Sequence, residues 1–437
     1  MADITTTEHL KREIGVRSLA LAGVNMVVGT GIFVLPAIVA EGLGAAAILA
    51  YIVCGALIFL LALCFAEAGS NTSKSGGVYT YIETAFGPWA GFLAGNIYLL
   101  GGCMASDAAL ANALADTLQH FFPALGIDVY RMTFLLLLFG GLAWLNISSV
   151  KNGVGFVVFA GIGKLIALVV LIIVAIPYVE AENLKWVSEP TVSNIGAASL
   201  LLFFAFLGLE VPLSNGGEIK NPLRTVPLGI FVAVFIVMLL YISIQWVTQG
   251  TLGDQLTAHK DTPLAAVAAI ALGKPGMAFI IAVTILSILG SLSGEILSQP
   301  RILFAAARDG LLPKRLAGVH PRFATPHIAI GVYVTIGFIM AVSGGFKQLA
   351  IIASASSLLL YLGVVLSTVK LRRMKAHNTQ KGFRVPGGVM IPLTAAAAII
   401  WLLSHLTKAE LTGMGIFMLA FSIIYFVMKR LKMKRDR

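Results

Sequence analysis

Two short segments of this chain combine residues that disfavour an uninterrupted helix. The first, Val27-Val28-Gly29-Thr30-Gly31-Ile32-Phe33, sets two glycines around a β-branched threonine and is followed by Pro36. The second, Phe203-Phe204-Ala205-Phe206-Leu207-Gly208-Leu209-Glu210-Val211-Pro212, brings a glycine, an acid and a proline close together. Glycine costs helix entropy and proline removes a donor. A broken helix begins one half with bare N–H groups and ends the other with bare C=O groups, which suit an anion and a cation. An α-amino acid zwitterion carries both charges. Four ionisable residues, Asp107, Lys164, Glu210 and Glu295, also sit inside apolar runs, where a charge costs roughly 3 kcal/mol on insertion scales. Each needs a reason.

The elements that position these residues follow from composition. The chain has 437 residues, 58% apolar side chains, 12% charged and a mean hydropathy of +0.92. A soluble domain carries about 25% charged residues, so soluble-enzyme, fibrous and disulfide-scaffold readings are excluded. A membrane-spanning helix needs about 20 mostly apolar residues. Runs of that kind lie near 17–40, 44–69, 87–118, 131–150, 152–178, 195–217, 226–250, 275–307, 326–344, 348–370, 385–405 and 410–430. An even count puts both termini on one side. Of the 31 Lys and Arg, 24 fall on that side, six on the other and one, Lys164, within a span. Cytoplasmic loops retain positive charge, so both termini are expected in the cytoplasm of a multi-pass cell-membrane protein. Topology accounts for the net charge of +11 without nucleic acid, although the basic tail also suits anionic lipid headgroups. The cysteines, Cys54, Cys64 and Cys103, show no metal or redox spacing and are expected to be packing residues. The polar, mixed-charge start lacks the pattern of a cleaved signal, so the first span is expected in the mature protein.

Irregular backbone survives in lipid only where it is buried or lines a cavity. The two breaks lie five spans apart, the offset expected of inverted repeats whose substrate site sits between them. The expected organisation is a cytoplasmic segment 1–16, a first repeat 17–178, a second repeat 195–370, two further helices over 385–430 and a basic tail 431–437. Glycines can instead serve close helix packing, the reading preferred for Gly91 and Gly95.

At these residues the chain resembles the amino acid/polyamine/organocation superfamily, and within it bacterial amino acid permeases. The resemblance spans nearly the whole chain. Its carriers are Val28-Gly29-Thr30-Gly31-Ile32-Phe33 with Pro36, the FFAFLGLE segment, Glu218-Ile-Lys-Asn-Pro-Leu-Arg-Thr-Val-Pro227, and Pro300-Arg301-Ile-Leu-Phe-Ala-Ala-Ala-Arg-Asp-Gly-Leu-Leu-Pro313. It implies an all-α membrane fold of twelve helices, a 5+5 inverted repeat (LeuT-like) with helices one and six unwound and two additional C-terminal helices. It further implies that the substrate carboxylate meets the amides of Gly29, Thr30 and Gly31, and its amino group the carbonyls of Val27, Phe204, Ala205 and Leu207. Phe204 matches an aromatic that closes the site toward the outside, with ordinary packing as the alternative. Members that attach to a single-span partner use a cysteine in the loop near His120 to Arg131. That loop has none, so a monomer or homo-oligomer is expected, with no disulfide-linked subunit.

The resemblance also gives Lys164 a role. It lies about 18 Å into the fifth span, at 1.5 Å per residue, and resembles a lysine that stands where sodium-coupled relatives hold an ion. It either couples proton flux or is a permanent strut bonded to a carbonyl of Val27 or Val28. Glu295, within Gly290-Ser-Leu-Ser-Gly-Glu295, replaces an aromatic that contacts the substrate side chain in an exchanger of the superfamily. Three readings follow: it selects a cationic side chain, carries a proton, or pairs with a serine or lysine. Glu210 is a candidate pH-dependent gate or a cap on loose backbone amides. Asp107, with Tyr98 and Ser106, faces the cavity or, as preferred, a solvated outer rim. Ser354, Ser356 and Ser357 are expected to serve helix packing.

The leading function is secondary transport of amino acids by alternating access, sodium-independent and proton-coupled, with exchange or transport of cationic amino acids or polyamines as alternatives. No phosphate-binding loop GxxxxGK[ST] is present to suggest ATP-driven pumping. An enzyme is disfavoured because the seven histidines fall mostly in loops or at span ends and none pairs at i, i+4. A sensor that binds an amino acid without moving it is the third class. No cofactor or metal is expected.

Overall fold

Runs of apolar residues this long fold as helices because lipid offers the backbone no hydrogen-bond partner. The computed structural model describes residues 14–70, 79–148, 150–187, 189–211, 219–308, 312–374, 384–385 and 387–435. Pro212, Glu218, Asp309-Gly310-Leu311 and most of the basic segment 370–384 lie outside these residues. Among the described residues the chain is all-helical, apart from one isolated parallel bridge between Ile14 and Ile219.

The first span divides into α1 (Val16–Val27) and α2 (Gly31–Leu43), and α3 (Ile48–Ser70) follows after a 3-10 turn. Short helices α4 (Tyr79–Phe86) and α5 (Pro88–Asn96) lead through a π-helical segment, Ile97–Met104, into α6 (Ala105–Gln119). Next come α7 (Asp128–Ser148), α8 (Val150–Ala175), α9 (Val192–Leu202) with the 3-10 turn Phe203–Phe206, and α10 (Pro222–Leu252). The remainder is α11 (Pro263–Ser298), α12 (Pro300–Arg308), α13 (His327–Ser343), α14 (Phe346–Met374), α15 (Met390–Leu403) and α16 (Lys408–Arg435). Among the described residues, eight helical stretches are long and apolar enough to cross a bilayer, and four shorter apolar helices accompany them.

One boundary differs in kind from the sequence reading. A single span was expected over 275–307, but α11 begins at Pro263, kinks at Gly273 (φ 70°, ψ −164°) and stops at Ser298. Pro300 has no amide hydrogen to extend α11 and instead occupies the first position of α12. Apolar content alone did not separate the two.

The helices approach closely through small residues. A β-carbon at Gly290 of α11 would lie 2.5 Å from Ala160 Cβ of α8, and one at Gly23 of α1 would lie 2.9 Å from Ala233 Cβ of α10. Those contacts pack α11 against α8 and α1 against α10. On the other flank, α14 is held to α3 by a two-pronged ion pair from Arg372 to the buried Glu67, whose Oε2 also accepts the Val385 amide at 2.8 Å.

Candidate functional site

Helical bonding in the first span ends with the Val28 amide on Val24 O at 2.9 Å. Val28 then turns out of the helix (φ −70°, ψ 78°), and Gly29 folds back to donate to Val27 O at 2.7 Å. The amides of Thr30, Gly31 and Ile32 precede or open α2, so no preceding turn supplies acceptors for them. The Thr30 hydroxyl is buried and has no hydrogen-bond partner. Of the amides expected to face a carboxylate, Gly29 is therefore engaged; Thr30 and Gly31 are open, and Ile32 joins them.

The second span loses α-helical bonding at Phe203, tightens into a 3-10 turn through Phe206, and runs extended at Leu207 (φ −67°, ψ 153°). Gly208 follows with φ 102°, a conformation that side chains rarely adopt. Its missing side chain also matters for contact, because a β-carbon there would lie 3.0 Å from Met26 O. At a second point, a β-carbon on Gly31 would lie 2.9 Å from Ala205 Cα. The two breaks thus meet backbone to backbone, which only glycine permits.

Tyr241 of α10, fully buried, joins them. Its hydroxyl lies 2.9 Å from Val27 O and 2.8 Å from Ala205 O, and its one proton serves one carbonyl at a time. This residue escaped the sequence reading, where a tyrosine in an apolar run gives no sign of its partners. Val27 O is consequently shared between Gly29 and Tyr241, while Phe204 O accepts only the long 3.4 Å contact from Leu207. Tyr241→Phe removes the shared donor; we expect substrate affinity to fall about fivefold, the equivalent of one hydrogen bond of ~1 kcal/mol, in a binding assay on purified protein with an unchanged elution profile.

Between the breaks lies a cavity with about 620 Å³ of empty volume, its open mouth included. Val27, Gly29, Thr30, Gly31, Phe204, Ala205, Leu207, Glu210 and Glu295 all line it. Tyr98, Cys103 and Ser106 add to the wall from the π-helical segment and α6, Ser291 from α11 and Ser357 from α14. Cys103 and Ser357 were read as packing residues and instead contact the cavity. Ser356 does pack: a β-carbon on Gly101 would lie 2.2 Å from its Oγ. The Phe204 ring stands edge-on to Phe346, with centroids 5.7 Å apart.

The intramembrane charges separate into distinct settings. Glu210 Oε2 accepts from Tyr361 Oη at 2.5 Å. Lys164 lies outside the cavity wall, 5% exposed, donating to Asn25 O at 2.9 Å in the last turn of α1. Its partner thus lies two and three residues before the Val27 and Val28 carbonyls considered from sequence. Asp107, placed by sequence at a solvated rim, is 0% exposed and accepts from Tyr333 Oη at 2.8 Å, away from both cavity and solvent. The π turn before it shifts the helix phase, so a regular 3.6-residue projection misplaces the residue. No group of three His, Cys, Asp or Glu suited to a metal ion occurs among the described residues.

A family model described as amino acid permease matches residues 14–431. The branched-chain amino acid permease BcaP of Bacillus subtilis (strain 168) is 27% identical over 97% of this chain and 94% of its own. The serine/threonine exchanger SteT of the same organism is 30% identical over 98% and 99%. The mouse large neutral amino acids transporter small subunit 2 is 31% identical over 72% of this chain and 62% of its own.

Proposed function

The chain belongs to the amino acid permease family, and from that premise we propose that it carries amino acids across the cell membrane by alternating access around the two interrupted helices. One observation carries the reading: the amides of Thr30 and Gly31, without a backbone partner among the described residues, and the weakly used carbonyl of Phe204 border one cavity. The substrate carboxylate binds the amides with help from the Thr30 hydroxyl. Its ammonium binds the carbonyls of Phe204, Ala205 and Leu207. Headgroup recognition by main chain leaves the side chain to be read by the rest of the wall.

In this reading α1 with α2 forms one crossing, the α5–α6 unit another, and the chain crosses twelve times with both termini cytoplasmic. Residues 17–178 and 195–370 are repeats of opposite orientation, and 385–430 adds two helices outside them. Phe204, edge-on to Phe346, closes the outer side. Glu210, clasped by Tyr361, links the second break to α14 and serves as a gate. Lys164 fills with a protein ammonium the place of a sodium ion, so transport is sodium-independent and driven by protons. The protein acts as a monomer or homo-oligomer without a disulfide-linked subunit.

Exchange is the second reading, favoured by the likeness to a protein named as a serine/threonine exchanger. Proteoliposomes separate the two. An inward proton gradient imposed on vesicles empty of amino acid drives accumulation in a symporter, with no response to sodium; uptake that requires preloaded amino acid identifies an exchanger. Binding of amino acids with neither uptake nor counterflow overturns transport and leaves a sensor.

A further inference from the structure

Among the described residues the cavity wall carries two carboxylates, Glu210 and Glu295, and no lysine, arginine or histidine. Lys164, the basic side chain buried in a neighbouring helix, is committed to Asn25 O and takes no part in the wall. The two acids differ in what holds them. Glu210 accepts from the Tyr361 hydroxyl. Glu295, in the last turn of α11, has an Oε2 that is buried and has no hydrogen-bond partner. Its neighbours on the wall, Ser291 one turn before it and Tyr98 and Cys103 across from it, bring no positive charge.

A buried carboxylate oxygen without a donor is costly, and ionised groups inside proteins are paired or hydrogen-bonded. A zwitterion with an apolar side chain places its ammonium on the main-chain carbonyls and supplies nothing to Glu295. A diamine lacking a carboxylate leaves the amides of Thr30 to Ile32 unused. A molecule with an α-amino acid headgroup and a distal cation satisfies all three features at once.

Building on the transport reading above, we infer that the substrate is a cationic α-amino acid whose distal ammonium or guanidinium pairs with Glu295. The residue is then a specificity determinant of the cavity. A site built to pair a polar group rejects analogues lacking it far more strongly than an apolar pocket rejects a change of shape.

The test uses two near-isosteric pairs, arginine with citrulline and lysine with norleucine, as competitors in binding and as counterflow substrates of the purified, reconstituted protein. Arginine and lysine are expected to bind at least ~100-fold more tightly than their neutral partners. In Glu295→Gln that preference shrinks to about threefold or less, within the range of ordinary contact differences. Counterflow of neutral amino acids with no preference for the charged pair members overturns the inference and leaves transport standing. A preference unchanged in Glu295→Gln also overturns it. Absence of counterflow for every amino acid defeats the transport reading itself. Should the variant not fold, the two wild-type ratios decide alone.

Discussion

Lys164→Met is expected to lower the initial rate of proton-driven uptake by about 100-fold, with no recovery in sodium, while the melting temperature changes little. The ammonium donates to Asn25 O at 2.9 Å and holds the last turn of α1 against α8. Hydrogen bonds to charged groups contribute ~1.5–3 kcal/mol. If that bond exists in one conformation of α1 and breaks in another, its loss shifts their ratio by roughly 10- to 150-fold. Methionine keeps the length of the side chain but leaves Asn25 O unserved, next to an Asn25 Oδ1 that is already buried without a partner. Removing the ammonium also removes its desolvation cost, which offsets the unserved carbonyl, so a thermal melt separates loss of transport from loss of fold. Wild-type uptake by Lys164→Met would remove the lysine from the coupling mechanism.

Gly208→Ala is the second large effect, and Gly87→Ala is its control. Both glycines have positive φ, 102° and 93°. An alanine at either site meets a positive-φ strain of ~1–3 kcal/mol. At Gly87 an added β-carbon finds nothing within 4 Å, whereas at Gly208 it would press on Met26 O at 3.0 Å and Met26 C at 3.2 Å. Backbone cannot rotate aside as a side chain tip can. The control therefore loses a small amount of stability and keeps transport. Gly208→Ala loses roughly 3 kcal/mol or more and separates the two breaks, so binding falls more than tenfold. Equal behaviour of the two variants would show that the contact between the breaks does not matter.

How much of this was legible without coordinates depends on the range of the interaction. The apolar runs and the Gly/Pro interruptions are local, so the positions of α1, α2, α9 and the turn after it followed from the residues themselves. Tyr241 and Tyr361 were invisible because their partners lie 214, 36 and 151 residues away and a tyrosine in an apolar run has no periodic signature. Asp107 was misplaced because depth was counted along a regular helix that the Ile97–Met104 segment unwinds. The junction of α11 and α12 was missed because composition outweighed the single proline that divides them. Cys103 was read by type, although its position on the π-helical turn puts it on the cavity.

The account stands on main-chain groups of two interrupted helices holding an amino acid headgroup, and a structure determined with bound substrate examines that directly. Density for the α-carboxylate is predicted about 2.7–3.2 Å from the amides of Thr30, Gly31 and Ile32, with the α-ammonium at the carbonyls of Phe204, Ala205 and Leu207. Substrate seated elsewhere, or residues 27–33 and 203–210 wound into continuous helix around it, would contradict the account.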